Sequence, residues 1–164
     1  MIARISGALL AIIAGACLIG VAPARAADDI NGVWLTDDGE GAVEISACGA
    51  QRCGRIVWLK KPTTDEGEPV TDQNNPSAGL RSRPVCGLQV VSGLKAQSNG
   101  AWDNGRVYDP EEGKSYDLEI RREGDRLKIR GYVGVKTLGE TMTWSRAPRS
   151  LGRCAGQGRN SARP

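Results

Sequence analysis

Asp72, Asn75, Arg81 and Arg83 crowd a carboxylate, an amide and two guanidinium groups into residues 60–85, a stretch rich in Pro, Asn, Asp and Gly. A guanidinium grips carboxylate or phosphate oxygens through paired N–H bonds. Arg81 or Arg83 could therefore meet the anionic head of an amphipathic ligand. The competing use is internal: Asp72 pairs with Arg81 or Arg83, and Asn75 bonds nearby backbone. Asp72 and Asn75 are expected to hold the loop in shape, and Arg81 and Arg83 are the candidate ligand contacts.

Other chemistries find no support. The chain has no histidine, which removes Ser-His-Asp and Cys-His catalysis and most zinc or haem ligation. Gly113-Lys114-Ser115 ends like a phosphate-binding loop, but Tyr108 stands where its first glycine belongs, and no helix pattern follows. Asp109, Glu111 and Glu112 lack calcium-loop spacing; Pro110 and Gly113 explain them as a turn. No two of the 19 acids stand out as a glycosidase pair. No catalytic residue, metal site or cofactor is assigned, and the chain is read as non-enzymatic.

The elements that must position the loop are strands. Residues 42–48 alternate, with Val43, Ile45 and Ala47 opposite Glu44 and Ser46. Residues 114–121 set Tyr116, Leu118 and Ile120 against Ser115, Asp117, Glu119 and Arg121, and residues 126–133 alternate Leu127 and Ile129 with Lys128 and Arg130. Further short segments are read at 32–36, 53–59, 87–91, 106–109 and 141–146. Eight segments with one apolar face each predict an all-β, antiparallel, up-and-down, eight-stranded barrel. Its inward set is Val43, Ile45, Ile56, Trp58, Leu88, Val90, Tyr116, Leu118, Ile120, Leu127, Ile129 and Met142. Among these, Trp58, Tyr116, Leu118 and Ile129 are named as ligand-lining, a role that requires an interior cavity. In a chain of 4 Trp and no Phe, the tryptophans are also the only large core fillers. Gly32-Val33-Trp34 opens the first strand and Trp144-Ser145-Arg146 ends the last, so in a closed meander an arginine can stack on a tryptophan across the seam.

Residues 1–26 read as a cleavable signal peptide: Arg4, an apolar run from Ile5 to Val21, then Ala24-Arg25-Ala26. A retained anchor and lipidation at Cys17 are the weaker alternatives. Export favours disulfides among Cys48, Cys53, Cys86 and Cys154. Cys48 and Cys53 bracket a hairpin-length loop and are the favoured pair, with Cys86–Cys154 as the complement. Residues 27–146 form the barrel domain, whose charge to Ser145 is net acidic. Residues 147–164 are read as a disordered basic tail, holding Arg149, Arg153, Arg159 and Arg163 without an acid. An acidic body in an exported chain argues against nucleic acid. The expected location is periplasmic or secreted, with no transmembrane segment in the mature chain.

Longer motifs carry a family resemblance. They are Gly32-Val33-Trp34-Leu35-Thr36, Cys53-Gly54-Arg55-Ile56-Val57-Trp58-Leu59, Asp72 through Asn75-Pro76 to Leu80-Arg81-Ser82-Arg83-Pro84, the run Tyr108 to Tyr116, and Arg130-Gly131-Tyr132-Val133-Gly134. In this order they resemble the family catalogued as domain of unknown function 2147, small exported bacterial proteins. The resemblance spans 32–146 and implies a lipocalin-like barrel, without established catalytic residues. The resemblance implies a further Cys near the penultimate strand in many relatives, where this chain has Tyr132, so the resemblance does not set the disulfide pattern. The expected function is non-catalytic binding of a small apolar or amphipathic ligand. The alternative is an envelope interaction or structural protein with a filled barrel, acting through the 60–85 loop.

Overall fold

The alternation read from sequence closes on itself. A computed structural model describes residues 27–154. Its strands are β1 (Gly32–Leu35), β2 (Gly41–Cys48), β3 (Gln51–Leu59), β4 (Gln89–Ala96), β5 (Trp102–Asp109), β6 (Lys114–Glu123), β7 (Arg126–Tyr132) and β8 (Glu140–Arg146). They form a closed antiparallel barrel in chain order, sealed where Trp34 pairs with Arg146 and Leu35 with Ser145. The predicted stack is present: the Arg146 guanidinium lies 3.8 Å over the Trp34 ring. Arg146 also donates to the Asn31 carbonyl at 3.0 Å. Gly32 sits beneath it at φ +129, where a Cβ would collide with the guanidinium, so the glycine of Gly-Val-Trp makes room for the arginine.

The barrel is filled. Trp34, Ile45, Val91, Leu94, Leu118, Ile120, Leu127 and Ile129 belong to one core cluster and are 0–1% exposed. A chamber large enough for a ligand would leave its lining with surface that a water molecule could touch. These side chains have almost none. Glycine helps: a Cβ on Gly54 would press into Val43 and Val91, and one on Gly105 into Leu94. Interiors packed this tightly exclude even small additions.

Three local features differ from the sequence reading. Trp58 is not inward. The register shifts between Ala42 and Val43, so that Val43 pairs with Ile56 and Ala42 with Trp58. The bulge at Val57 thereby turns Trp58 to the outer face, half-buried and outside the core cluster. β4 and β5 run longer than the expected 87–91 and 106–109, because Gly93 (φ 73) and Asn104 (φ 60) are absorbed as irregularities within strands. Finally, β2 and β3 meet in a tight turn at Gly49-Ala50, shorter than the expected loop. Cys48 lies opposite Gln51 and Cys53 opposite Ser46, so the disulfide they form is diagonal, with Cα atoms 5.9 Å apart.

Cys86 and Cys154 are also joined, across 68 positions. The segment expected to be a tail from residue 147 is therefore held as far as Cys154. Ala147 donates to the Val33 carbonyl at 3.0 Å and Cys154 to the Val57 carbonyl at 2.7 Å. Arg153 grips Glu44 with two bonds of 2.9 and 2.6 Å. Residues 147–154 form a strap over the outside of β1, β2 and β3. The expected signal peptide with Cys17, and the tail from residue 155, lie outside the described residues. Among the described residues no helix is long and apolar enough to cross a membrane.

Candidate functional site

Chain direction places the β1–β2, β3–β4, β5–β6 and β7–β8 connections at one end of the barrel, here the lid end. The long β3–β4 connection is a folded lid organised by one carboxylate. Asp72 is fully buried. Its Oδ1 accepts the Tyr108 hydroxyl at 2.6 Å; its Oδ2 accepts Asn75 Nδ2 and Arg83 Nε, both at 2.8 Å. Arg83 Nη2 closes on the same oxygen at 2.8 Å, and the guanidinium lies 5.7 Å from the Tyr108 ring centre. Backbone bonds complete the knot: Asp72 N donates to the Arg83 carbonyl and Asn75 N to the Asp72 carbonyl. Arg81 Nε donates to the Asn75 carbonyl at 2.8 Å, and Asn75 Oδ1 accepts from Ser77 N.

Electrostatics assign this knot a structural part. Burial alone would raise the Asp72 carboxyl, but bonds from Tyr108, Asn75 and Arg83, with the Arg83 charge, hold it below the ordinary aspartate range. Burial and the bond to Asp72 push the Tyr108 hydroxyl up. At neutral pH the pair is carboxylate and phenol, with the phenol proton donated to Oδ1 and Oδ2 held by Asn75 and Arg83. Asp72 and Asn75 bond to each other and to the backbone of the loop. Arg83 is Asp72's partner and is not free at a mouth. Arg81 is exposed, with its Nε committed to backbone.

The lid docks on the β5–β6 turn. Asn74 Nδ2 donates to the Glu111 carbonyl at 2.6 Å. Gly113 sits at φ +67, and a Cβ there would strike the Asn74 carbonyl. Tyr116 is inward and half-buried near this end. Its hydroxyl bonds Glu112, which pushes it up to about 12. Leu118 and Ile129, named as ligand-lining, are sealed in the core at 0% and 1% exposure. They touch no ligand unless the core opens. At this end the half-buried apolar side chains Leu59, Val107 and Met142 pack on the core's edge.

A second feature of the lid end escaped the sequence reading. In the β7–β8 connection Val133, Val135 and Leu138 are 75%, 56% and 82% exposed. The connection is nevertheless fixed. Arg130 Nε donates to the Lys136 carbonyl at 2.8 Å and its Nη2 to the Thr137 carbonyl at 3.2 Å. The Lys136 ammonium sits between Asp103 and Glu119, 2.7 Å from the latter. Burial would lower the Lys136 ammonium, but these two carboxylates raise it; Asp103, conversely, is held low by Lys136 against its own burial. Gly139 lies so close to the Gly131 carbonyl and Tyr132 that a Cβ would clash with both. The available signal was the break in alternation at Val133-Gly134-Val135, where apolar residues continue past the last turn of the pattern.

Two pockets lie outside the barrel. One of about 310 Å³ is framed by the strap and the outer wall at Val33 and Val57. Another of about 370 Å³ is an open depression beside Asp28, Asp29, Arg122 and Asp125. Among the described residues no group of three or more Cys, Asp or Glu is placed to hold a metal ion.

Comparison with known proteins agrees with this architecture. Protein HP1028 from Helicobacter pylori, described as belonging to the lipocalin family, superposes with a TM-score of 0.63 at 20% identity, covering 74% of this chain and 84% of that one. At that identity the likeness shows the fold, a lipocalin-like barrel. No curated protein matches the chain. Residues 32–146 match the model of the family described as an uncharacterized protein conserved in bacteria, DUF2147. That stretch runs from the glycine beneath Arg146 to Arg146 itself and takes in the lid and its Asp72 knot: the chain belongs to the DUF2147 family.

Proposed function

We propose that this chain is an exported, non-catalytic binding protein that uses a filled barrel as a rigid platform and engages a protein of the cell envelope through its lid end. The observation that carries this reading is the β7–β8 connection. Three aliphatic side chains stand in solvent on a backbone pinned by Arg130 and Lys136. Exposed apolar groups on a fixed frame lose little conformational entropy when a partner covers them. The two disulfides favour an oxidising compartment, in keeping with the signal-like residues 1–26. Crosslinking in the intact envelope should recover a partner with the wild-type chain and with Arg55→Gln, and lose it when Val133, Val135 and Leu138 become serine. Equal recovery from all three chains overturns the reading.

A second reading has its own observation. Tyr116 and Met142 are inward yet half-buried, leaving apolar surface at the mouth for a small amphipathic ligand that does not enter the core. Native mass spectrometry should then show a bound molecule that Tyr116→Ala and Met142→Ala release. A clean mass after incubation with envelope lipid extract removes this reading.

A further inference from the structure

The strap encloses space that the barrel itself lacks. It crosses the outer wall from Ala147 to Cys154, fixed by the Val33 and Val57 carbonyls, the Arg153–Glu44 ion pair and the Cys86–Cys154 bridge. Beneath and beside it lies the gap of about 310 Å³, at the lower limit of small-molecule sites. Its accessible apolar lining is Val33, Pro148 and Leu151, with Val57 buried beneath, and its charge comes from Arg146, Arg149 and Arg153; among the described residues no carboxylate lines it. Of the three, only Arg153 has a carboxylate partner among the described residues, Glu44. Arg146 is spent on the Trp34 ring and the Asn31 carbonyl, neither of which cancels its charge. Arg149 is exposed and makes no hydrogen bond or ion pair among the described residues.

We propose that this gap is a binding site for one small amphipathic anion, whose apolar part rests on Val33, Pro148 and Leu151 while its anionic head meets Arg149. Charge selects the class. Two guanidinium groups without a carboxylate partner beside an apolar floor favour a carboxylate or sulfonate on a short alkyl or aromatic body. A neutral molecule of the same shape forfeits the head contact, and a bare inorganic anion forfeits the floor. The bridge matters because it closes the end of the strap; without it the wall of the site becomes loose chain.

The test uses the mature chain, residues 27–164, oxidised, with anilinonaphthalene sulfonate as a fluorescent amphipathic anion and octanoate as competitor. Saturable one-to-one binding is expected, displaced by octanoate at least tenfold better than by octanol or by chloride. Arg149→Gln and Leu151→Asn should each weaken it at least tenfold. Arg149 is exposed and Leu151 half-buried; an unfolding midpoint equal to wild type in each variant shows that the fold is kept. Replacing Cys86 and Cys154 with serine should abolish saturable binding, while the far-side changes Val135→Ser and Leu138→Ser leave it intact. Binding that follows the β7–β8 changes, or that survives Arg149→Gln and Leu151→Asn, overturns the proposal. So does failure to saturate. A chain ending at Cys154 that binds markedly better identifies residues 155–164 as the occupant in place of a small anion, which also overturns it.

Discussion

At one end of the barrel two tryptophans meet a strip of backbone, whereas at the other a single carboxylate gathers its donors. Trp34 and Trp102 donate their indole N–H groups to the carbonyls of Ile30 and Asp28, at 2.9 and 2.7 Å. Ile30 fills the space between at zero exposure, Arg52 lies 4.5 Å over Trp102, and Arg146 caps Trp34. Most of that plug is apolar contact, which is additive and indifferent to pH. The lid end depends on direction and charge: Tyr108, Asn75 and Arg83 converge on Asp72. Such a network holds as a unit or fails as one. One end should therefore answer to volume and the other to protonation.

The largest effect belongs to the tryptophan end. Trp34→Ala removes a fully buried indole and the surface on which Arg146 rests. A loss of about 4 kcal/mol is expected, from buried apolar contact plus the cavity left behind. Chemical denaturation should show it as a lower midpoint for the whole barrel, because β1 and β8 are sealed at that residue. A loss below about 2 kcal/mol would mean that the seam is held elsewhere, and the contrast between the ends would weaken.

Asp72→Asn comes next, at about 2–3 kcal/mol, the range for breaking a buried charge-assisted network whose arginine can still reach water. The damage should be local. Amide exchange should rise across residues 70–85 and stay unchanged in β6 and β7. Protonation gives an independent route to the same state. The Asp72 carboxyl is depressed in the folded protein, so its contribution is full above the ordinary aspartate pKa of about 4 and is lost as pH falls through the lower folded value. Acidification below pH ~4 should free the lid in the wild type before it disturbs the tryptophan end. In Asp72→Asn, lid exchange should lose that acid dependence; if it persists, other carboxylates govern the lid.

The two ends were also unequally legible in the sequence. The tryptophan end is local pattern plus closure: Gly32-Val33-Trp34 and Trp144-Ser145-Arg146 become neighbours once eight alternating strands are joined, so the stack follows. The lid required choosing partners. Asp72 could pair with Arg81 or Arg83, and spacing does not decide it; Tyr108, on β5, enters only through the folded loop. Trp58 misled because a single bulged residue, Val57, reverses the faces that alternation assigns. The expected strands 87–91 and 106–109 stop short of Gly93 and Asn104-Gly105, which are irregularities within longer strands. The break in alternation at Val133-Gly134-Val135 marks the β7–β8 connection, but spacing does not give the Arg130 and Lys136 bonds that hold three aliphatic side chains in solvent.

A smaller effect separates the lid's own fold from its docking. Gly113→Ala places a Cβ against the Asn74 carbonyl at a left-handed backbone position. About 1–2 kcal/mol is expected from strain and displacement together. If the lid is docked as described, exchange should rise at Asn74 and the β5–β6 turn while the Asp72 knot keeps its protection. Simultaneous loss at both would show that knot and docking are a single cooperative unit.

The smallest effect on stability should carry the largest effect on binding. Leu138 is 82% exposed on a backbone held by Arg130 and Lys136, so Leu138→Ser removes almost no buried surface. Its unfolding free energy should stay within ~0.5 kcal/mol of wild type. Recovery of a crosslinked partner should nevertheless fall, because the lost methyl groups lie where a partner would bury them. The two readouts must part for the lid end to be a free surface. A destabilisation above about 1 kcal/mol would mean that Leu138 already packs against this chain in solution, and that the β7–β8 connection belongs to the barrel's own closure, making the lid end as self-contained as the tryptophan end.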